Sequence, residues 1–243
     1  MRLITPRHEK NGVNLPASKL PSQAKPHGDF RDSFHWRVLR ILSEFTDGFT
    51  FLADFNEVKT VSFFGSARFL EDNHWYKEAQ RLGEILGEKG YGVVTGGGPG
   101  IMEAGNRGAH EGGGESIGLN IQLPFEQRIN PWVRKGIGFH YFFSRKVMLT
   151  YAAQAYVYFP GGFGTLDEFF EMVTLIQTKK RLGNIPVICI GRDFWTPLLK
   201  WVETDVYGKF AAIDKEDMKI YNVVDTAEEA WKIIKKSPHI KYF

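Results

Sequence analysis

Cysteine is nearly absent: the 243-residue chain holds one, Cys189. No disulfide framework within the chain is possible, and such usage fits a reducing cytoplasm, the expected location. Cys189 lies in the apolar run PVICIG and reads as a small buried hydrophobe. No run reaches the ~18 apolar residues of a membrane helix, so no membrane association is expected. The opening MRLITPRHEK lacks the apolar core of a signal peptide. A large excess of either charge is also lacking. The 31 basic and 28 acidic residues leave a net charge of +3, too balanced for nucleic-acid binding by bulk charge. The seven histidines form no H-E-x-x-H, and no paired cysteines exist, so no metal is expected. The Walker A pattern and an intact G-x-G-x-x-G are both missing, which disfavours a P-loop triphosphate and a bound dinucleotide.

What is present suits a globular protein: 43% hydrophobic and 24% charged residues. Residues 1–30 carry prolines 6, 16, 21 and 26 and read as an N-terminal arm. Residues 31–58 read as a helical extension. There Phe34, Val38, Leu42, Phe45, Phe49 and Leu52 recur at helical spacing, with a break expected near Gly48. From 59 to 243 strands and helices alternate. Strands are expected at 60–65, 91–97, 116–121, 155–160 and 185–191. Helices are expected at 74–90, 100–111, 140–154, 165–180, 194–206 and 226–236, with Gly90 ending the first and Thr226 capping the last. Alternation of this kind means parallel strands joined by right-handed crossovers, and short all-apolar strands mean that both faces are covered. The expected fold is α/β: a single Rossmann-like domain, its parallel sheet doubly wound in three α/β/α layers, with the N-terminal helical extension ahead of it.

In such folds ligands bind beyond the carboxyl ends of the strands. Three turns rich in small residues fall there: GSAR (65–68), TGGGPG (95–100) and PGGFGT (160–165). Glycine lets backbone approach a ligand, and a helix start offers free N–H groups and the positive end of a dipole. A phosphate is the natural guest, and a mononucleotide or sugar phosphate fits better than a dinucleotide. The expected phosphate or nucleotide contacts are Ser66, Gly97, Gly98, Gly100, Gly161, Gly162, Gly164 and Thr165.

Four charged residues stand beside these turns. Thr165 to Glu168 spells T-x-x-E, a capping box, so Glu168 either reaches back to the helix start or faces the ligand. Arg145 and Lys146, in FSRK, sit near a helix N-terminus where cations oppose the dipole. They face an anion or form a solvated basic pair. Glu103 contacts a ligand hydroxyl or only favours the start of its own helix. The loop QLPFEQRINPWVRKG (122–136) is expected to border the site.

PGGFGTLDE matches the pattern PGGxGTxxE, and TGGGPGIMEAGNRGA (95–109) and FFSRKVML (142–149) stand ahead of it. In these segments the chain resembles the lonely-guy (LOG) family of cytokinin riboside 5′-monophosphate phosphoribohydrolases, over about residues 33–236. The resemblance is to its longer bacterial members. It implies a hydrolase that splits nucleoside 5′-monophosphates, AMP-like or cytokinin-type, into free base and ribose 5-phosphate. It implies Arg145 and Glu168 as catalytic residues and Gly161, Gly162, Gly164 and Thr165 as phosphate ligands. No cofactor is implied, and a homodimer is. Such proteins are often labelled lysine decarboxylases. That chemistry needs pyridoxal phosphate on a lysine, for which Lys146 is the nearest candidate and a poor one. The competing expectation is a non-catalytic nucleotide binder or molybdenum-cofactor carrier of the same superfamily.

Overall fold

The computed structural model describes residues 33–122, 129–180 and 185–239. The N-terminal arm lies outside them, as does part of the loop expected beside the site. From Glu44 onward the chain forms one compact unit, and described residues 33–43 belong to another. Helix α1 (Phe34–Ala53) is followed by β1 (Thr60–Phe64), α2 (His74–Glu88), β2 (Gly92–Thr95), α3 (Ile101–Glu111), β3 (Ser116–Ile121) and β4 (Lys135–Phe139). Then come α4 (Phe142–Tyr151), β5 (Tyr156–Tyr158), α5 (Phe163–Gln177), β6 (Val187–Ile190), α6 (Arg192–Trp201), β7 (Tyr221–Val224) and α7 (Ala227–Ile234).

The seven strands form one sheet in the order β4-β3-β2-β1-β5-β6-β7, with every neighbouring pair parallel. Alternation along the strands feeds two separate cores. Tyr156, Tyr158, Val187 and Cys189 point to one face, where Phe49 and Leu52 of α1, Met148 of α4, Phe169 of α5 and Trp195 of α6 cover them. Val157, Phe159, Ile188 and Ile190 point to the other, beneath Leu82 of α2, Ala104 of α3 and Ala230 of α7. This is the Rossmann-like, three-layer arrangement expected. Cys189 is buried, and burial pushes its thiol pKa up. Thr226 caps α7, accepting from the Glu229 N–H, and Gly90 follows α2 with φ of 74°. Among the described residues no helix is long and apolar enough to cross a membrane.

Four local expectations change. Strands β4 and β7 lie at the sheet edges, and neither is a continuous apolar run. KGIGF is mostly exposed and YNVV is partly so, as edge strands often are. Helix α6 ends at Trp201 and the chain continues as a π-helix, Val202–Lys209. The apolar stripe of α1 is not buried along its length: Phe34, Val38 and Leu42 are exposed. Finally, α1 is unbroken through Gly48. A Cβ there would lie 2.8 Å from Met148 Cγ and Sδ, so the glycine makes room for a fully buried side chain.

Gly48→Leu tests that reason. If Gly48 were only a weak point in a helix, leucine would stabilise the protein by up to ~1 kcal/mol. Overpacking against Met148 predicts instead a loss of about 1–3 kcal/mol in urea unfolding.

Candidate active site

The sheet reverses its strand order at β1. The chain steps outward from β1 to β4 on one side, then returns to place β5 on the other. Crevices at such points hold ligands in α/β sheets. Here a cleft of about 740 Å³ opens beyond the ends of β1 and β5.

Ser66, Arg145, Gly161, Gly162, Gly164, Thr165 and Glu168 all line it. The turns after β1 and β5 are tied together, because the Ser66 N–H donates to the Pro160 carbonyl at 3.0 Å. Arg68, Gly96 and Phe163, which the sequence did not single out, line it too.

Helix α5 starts earlier than T-x-x-E suggests. Gly162 is its N-cap and gives no side-chain cap, so Thr165 stands inside the first turn and the capping box is absent. Two glycines start the turn before the threonine is reached. The Thr165 side chain is buried and occupies the space left by the missing side chain of Gly161. The first-turn N–H groups of a helix lack intrahelical partners, and no acidic residue offsets them here. That is a favourable seat for a phosphate.

Freed from capping, the Glu168 carboxylate stands against the cleft. It accepts no hydrogen bond from the described residues, while its backbone carbonyl accepts from the Tyr158 hydroxyl at 3.1 Å. Burial pushes its pKa up to about 7, with Arg145 pulling it back and Asp167 adding to the rise. Arg145 is half-buried on α4. Its Nε donates to the Leu119 carbonyl at 2.8 Å, and its terminal nitrogen fills the place a side chain would take at Gly96. Burial lowers its pKa and Glu168 opposes the shift.

The remaining candidates do not line the cleft. Lys146 pairs with Asp167 at 2.9 Å and Glu171 at 3.3 Å, both on α5. No lysine among the described residues lines the cleft, so the residues present do not fit pyridoxal phosphate chemistry there. Glu103 is half-buried in the first turn of α3. Burial raises its carboxyl, Glu71 adds to the rise and Arg107 opposes it. Gly100, at φ of 71°, lets its turn press against Ser66 and Ala67.

Gly97 and Gly98 are held from behind by a buried polar network. Asn130 donates its N–H to the Gly97 carbonyl at 2.8 Å and its side chain to the Gly98 carbonyl at 3.0 Å. The Asn106 carboxamide ties the Asn130 side chain, the Thr95 hydroxyl and the Ser116 hydroxyl together at 2.6–3.0 Å. Asn106 lies in the segment 95–109 and Asn130 in the loop 122–136, but nothing in either stretch pairs them, and their mutual contact shows the role.

Fold and cleft define a Rossmann-like protein with a glycine-lined site at the point of strand reversal, with one carboxylate and one guanidinium beside it. A family model described as possible lysine decarboxylase matches residues 102–234. The chain belongs to this family, which includes the LOG proteins. The rice cytokinin riboside 5′-monophosphate phosphoribohydrolase LOG is 34% identical over 144 residues, 56% of this chain and 57% of that protein. An uncharacterized Archaeoglobus fulgidus protein is 31% identical over 130 residues, 52% of this chain and 82% of that one. The chain thus spans little more than half the length of two of the rice relatives it matches, 57% and 55%. Among solved structures, TM1055 is 27% identical with a TM-score of 0.55, over 74% of this chain and 99% of that one. A molybdenum cofactor binding protein from Rippkaea orientalis has the same TM-score at 20% identity, over 73% of this chain and 94% of that one, which is a likeness of fold.

Two stability measurements follow. Asn106→Ala strands several buried polar groups, and a loss of about 3 kcal/mol is expected in denaturant unfolding. Glu168→Gln has the opposite sign. A carboxyl raised from 4.5 to about 7 binds more protons folded than unfolded across that window. Its ionisation therefore costs stability above pH 7 and nothing below pH 4.5. Glu168→Gln is expected to melt higher than wild type at pH 8, with the gap closing at pH 4.5.

Proposed function

We propose that the chain hydrolyses the N-glycosidic bond of nucleoside 5′-monophosphates, of AMP or cytokinin type, to free base and ribose 5-phosphate. The observation that carries this reading is that Glu168 and Arg145 line one cleft with the glycine turn at the start of α5. In the proposed reaction the 5′-phosphate is held by Gly161, Gly162, Gly164 and Thr165. Its fixed position sets the ribose over Glu168, so binding energy serves the chemistry. The bond from C1′ to the base nitrogen breaks and its electron pair leaves with the base. Positive charge develops on the ribose, and the ionised Glu168 stabilises it. Water adds its oxygen to C1′, and its proton balances the charge on the departing base. Arg145, a fixed cation, eases that departure.

The names of the relatives, cytokinin riboside 5′-monophosphate phosphoribohydrolases, support the reaction class. The carrier alternative would use the same glycine turns. A partly desolvated carboxylate beside the cleft works against burying an anionic ligand with no chemistry to perform, which favours the hydrolase. Assembly as a homodimer is part of the proposal. Phe142 and Phe143, exposed on α4 where it borders the cleft, support it.

Chromatography of AMP incubated with the protein is the test. Wild type is expected to release adenine. Glu168→Gln and Arg145→Ala are expected to lose about 100-fold or more in kcat while remaining folded. No base from AMP, GMP, CMP, UMP or a cytokinin nucleotide would overturn the reading.

A further inference from the structure

Helix α4 begins badly. Its N-cap, Tyr141, supplies no side-chain hydrogen bond, and its first turn holds no acid. Arg145 and Lys146 follow at once, where cations oppose the helix dipole. The remedy comes from a distant element. The Glu44 carboxylate, on α1, accepts from the His140 N–H at 2.7 Å and the Tyr141 N–H at 3.3 Å. It also lies 2.5 Å from the hydroxyl of Ser144, which is fully buried. One side chain thus takes up the N–H groups of the two residues that lead into the helix and places a negative charge beside its first turn.

The contact continues along both helices. One turn beyond Glu44, Gly48 admits Met148, one turn beyond Ser144. Phe49 then meets Tyr151 edge-on at 5.7 Å. The two cations of α4 part company on this anchored helix. Lys146 is taken up by Asp167 and Glu171, and Arg145 turns to the cleft and the Leu119 carbonyl. Arg145 immediately follows Ser144, so its position depends on where the first turn is fixed.

We infer that Glu44 is a positioning residue for Arg145: by capping α4 from α1 it fixes the guanidinium in the cleft. The inference rests on the hydrolase reading above for its catalytic consequence. Its structural half stands apart from that reading. The carboxylate acts through α4, whereas the 5′-phosphate is assigned to α5. Loss of Glu44 should therefore disturb chemistry more than binding.

The experiment compares wild type, Glu44→Ala, Glu44→Gln and Leu52→Ala, a packing control on the same helix. Amide exchange at His140 and Tyr141, thermal melting, and kcat and KM for AMP are measured together. Glu44→Ala is expected to speed exchange at both amides by about tenfold or more, because their acceptor is gone. Its kcat is expected to fall by about tenfold or more with KM within about twofold. Glu44→Gln, which keeps an acceptor and loses the charge, should fall between Glu44→Ala and wild type. Leu52→Ala should lower the melting temperature and leave kcat within about twofold of wild type.

Unchanged exchange in Glu44→Ala overturns the inference. So does a kcat loss in Leu52→Ala equal to that of Glu44→Ala at equal thermal cost, because the effect would then be one of stability. If Glu44→Ala does not fold, a folded Glu44→Gln with wild-type kcat and wild-type exchange overturns it. Should wild type release no base, the hydrolase reading falls, and the exchange data alone decide whether Glu44 holds α4.

Discussion

Strand reversal at β1 is the constraint from which the site follows. Strands β1 and β5 are parallel neighbours, yet the helices that follow them cover opposite faces of the sheet. Helix α2 packs with Phe63 and Val157, and α5 packs with Phe64 and Tyr158. The two connections must diverge as they leave the strands, and the gap between them is the cleft. Turns of small residues line that gap because the backbone there has to bend within a residue or two of the strand ends. The Ser66–Pro160 hydrogen bond keeps it from opening further.

Into this gap the fold places two opposite charges short of water. Desolvation opposes both, raising the pKa of Glu168 and lowering that of Arg145, and their mutual attraction offsets only part of it. Among the described residues neither charge is neutralised by a close ion pair, in contrast to Lys146, which has two carboxylate partners. A protein selected for stability alone would have no use for such an arrangement. Rigid supports hold it: the core beneath α4 and α5, the Asn106–Asn130 network behind the glycine turn of 96–100, and the carboxylate of Glu44 at the start of α4.

Much of the fold and part of the site were legible from residues alone. Five buried strands announced themselves as short apolar runs because both of their faces are covered. Edge strands KGIGF and YNVV did not, because an edge has less to bury and tolerates glycine and polar residues. Gly48 looked like a break because glycine weakens isolated helices, but the packing partner that explains it stands 100 residues away. T-x-x-E looked like a capping box because local spacing cannot show that two preceding glycines have already begun the helix. Spacing alone did not separate the arginine and lysine of FSRK; the family likeness favoured Arg145, and the structure turns it to the cleft while Asp167 and Glu171 take up Lys146.

Composition and local pattern by themselves determined an α/β chain with parallel crossovers and glycine turns at the carboxyl ends of its strands. They also yielded the motif that carries the family likeness. These depend on interactions within a few residues, which sequence order preserves. Tertiary structure alone decided which turns meet, that Glu168 faces the cleft rather than its own helix end, and that Glu44 caps the helix of Arg145. Those outcomes depend on contacts between segments up to 100 residues apart, whose geometry exists only once the sheet has assembled.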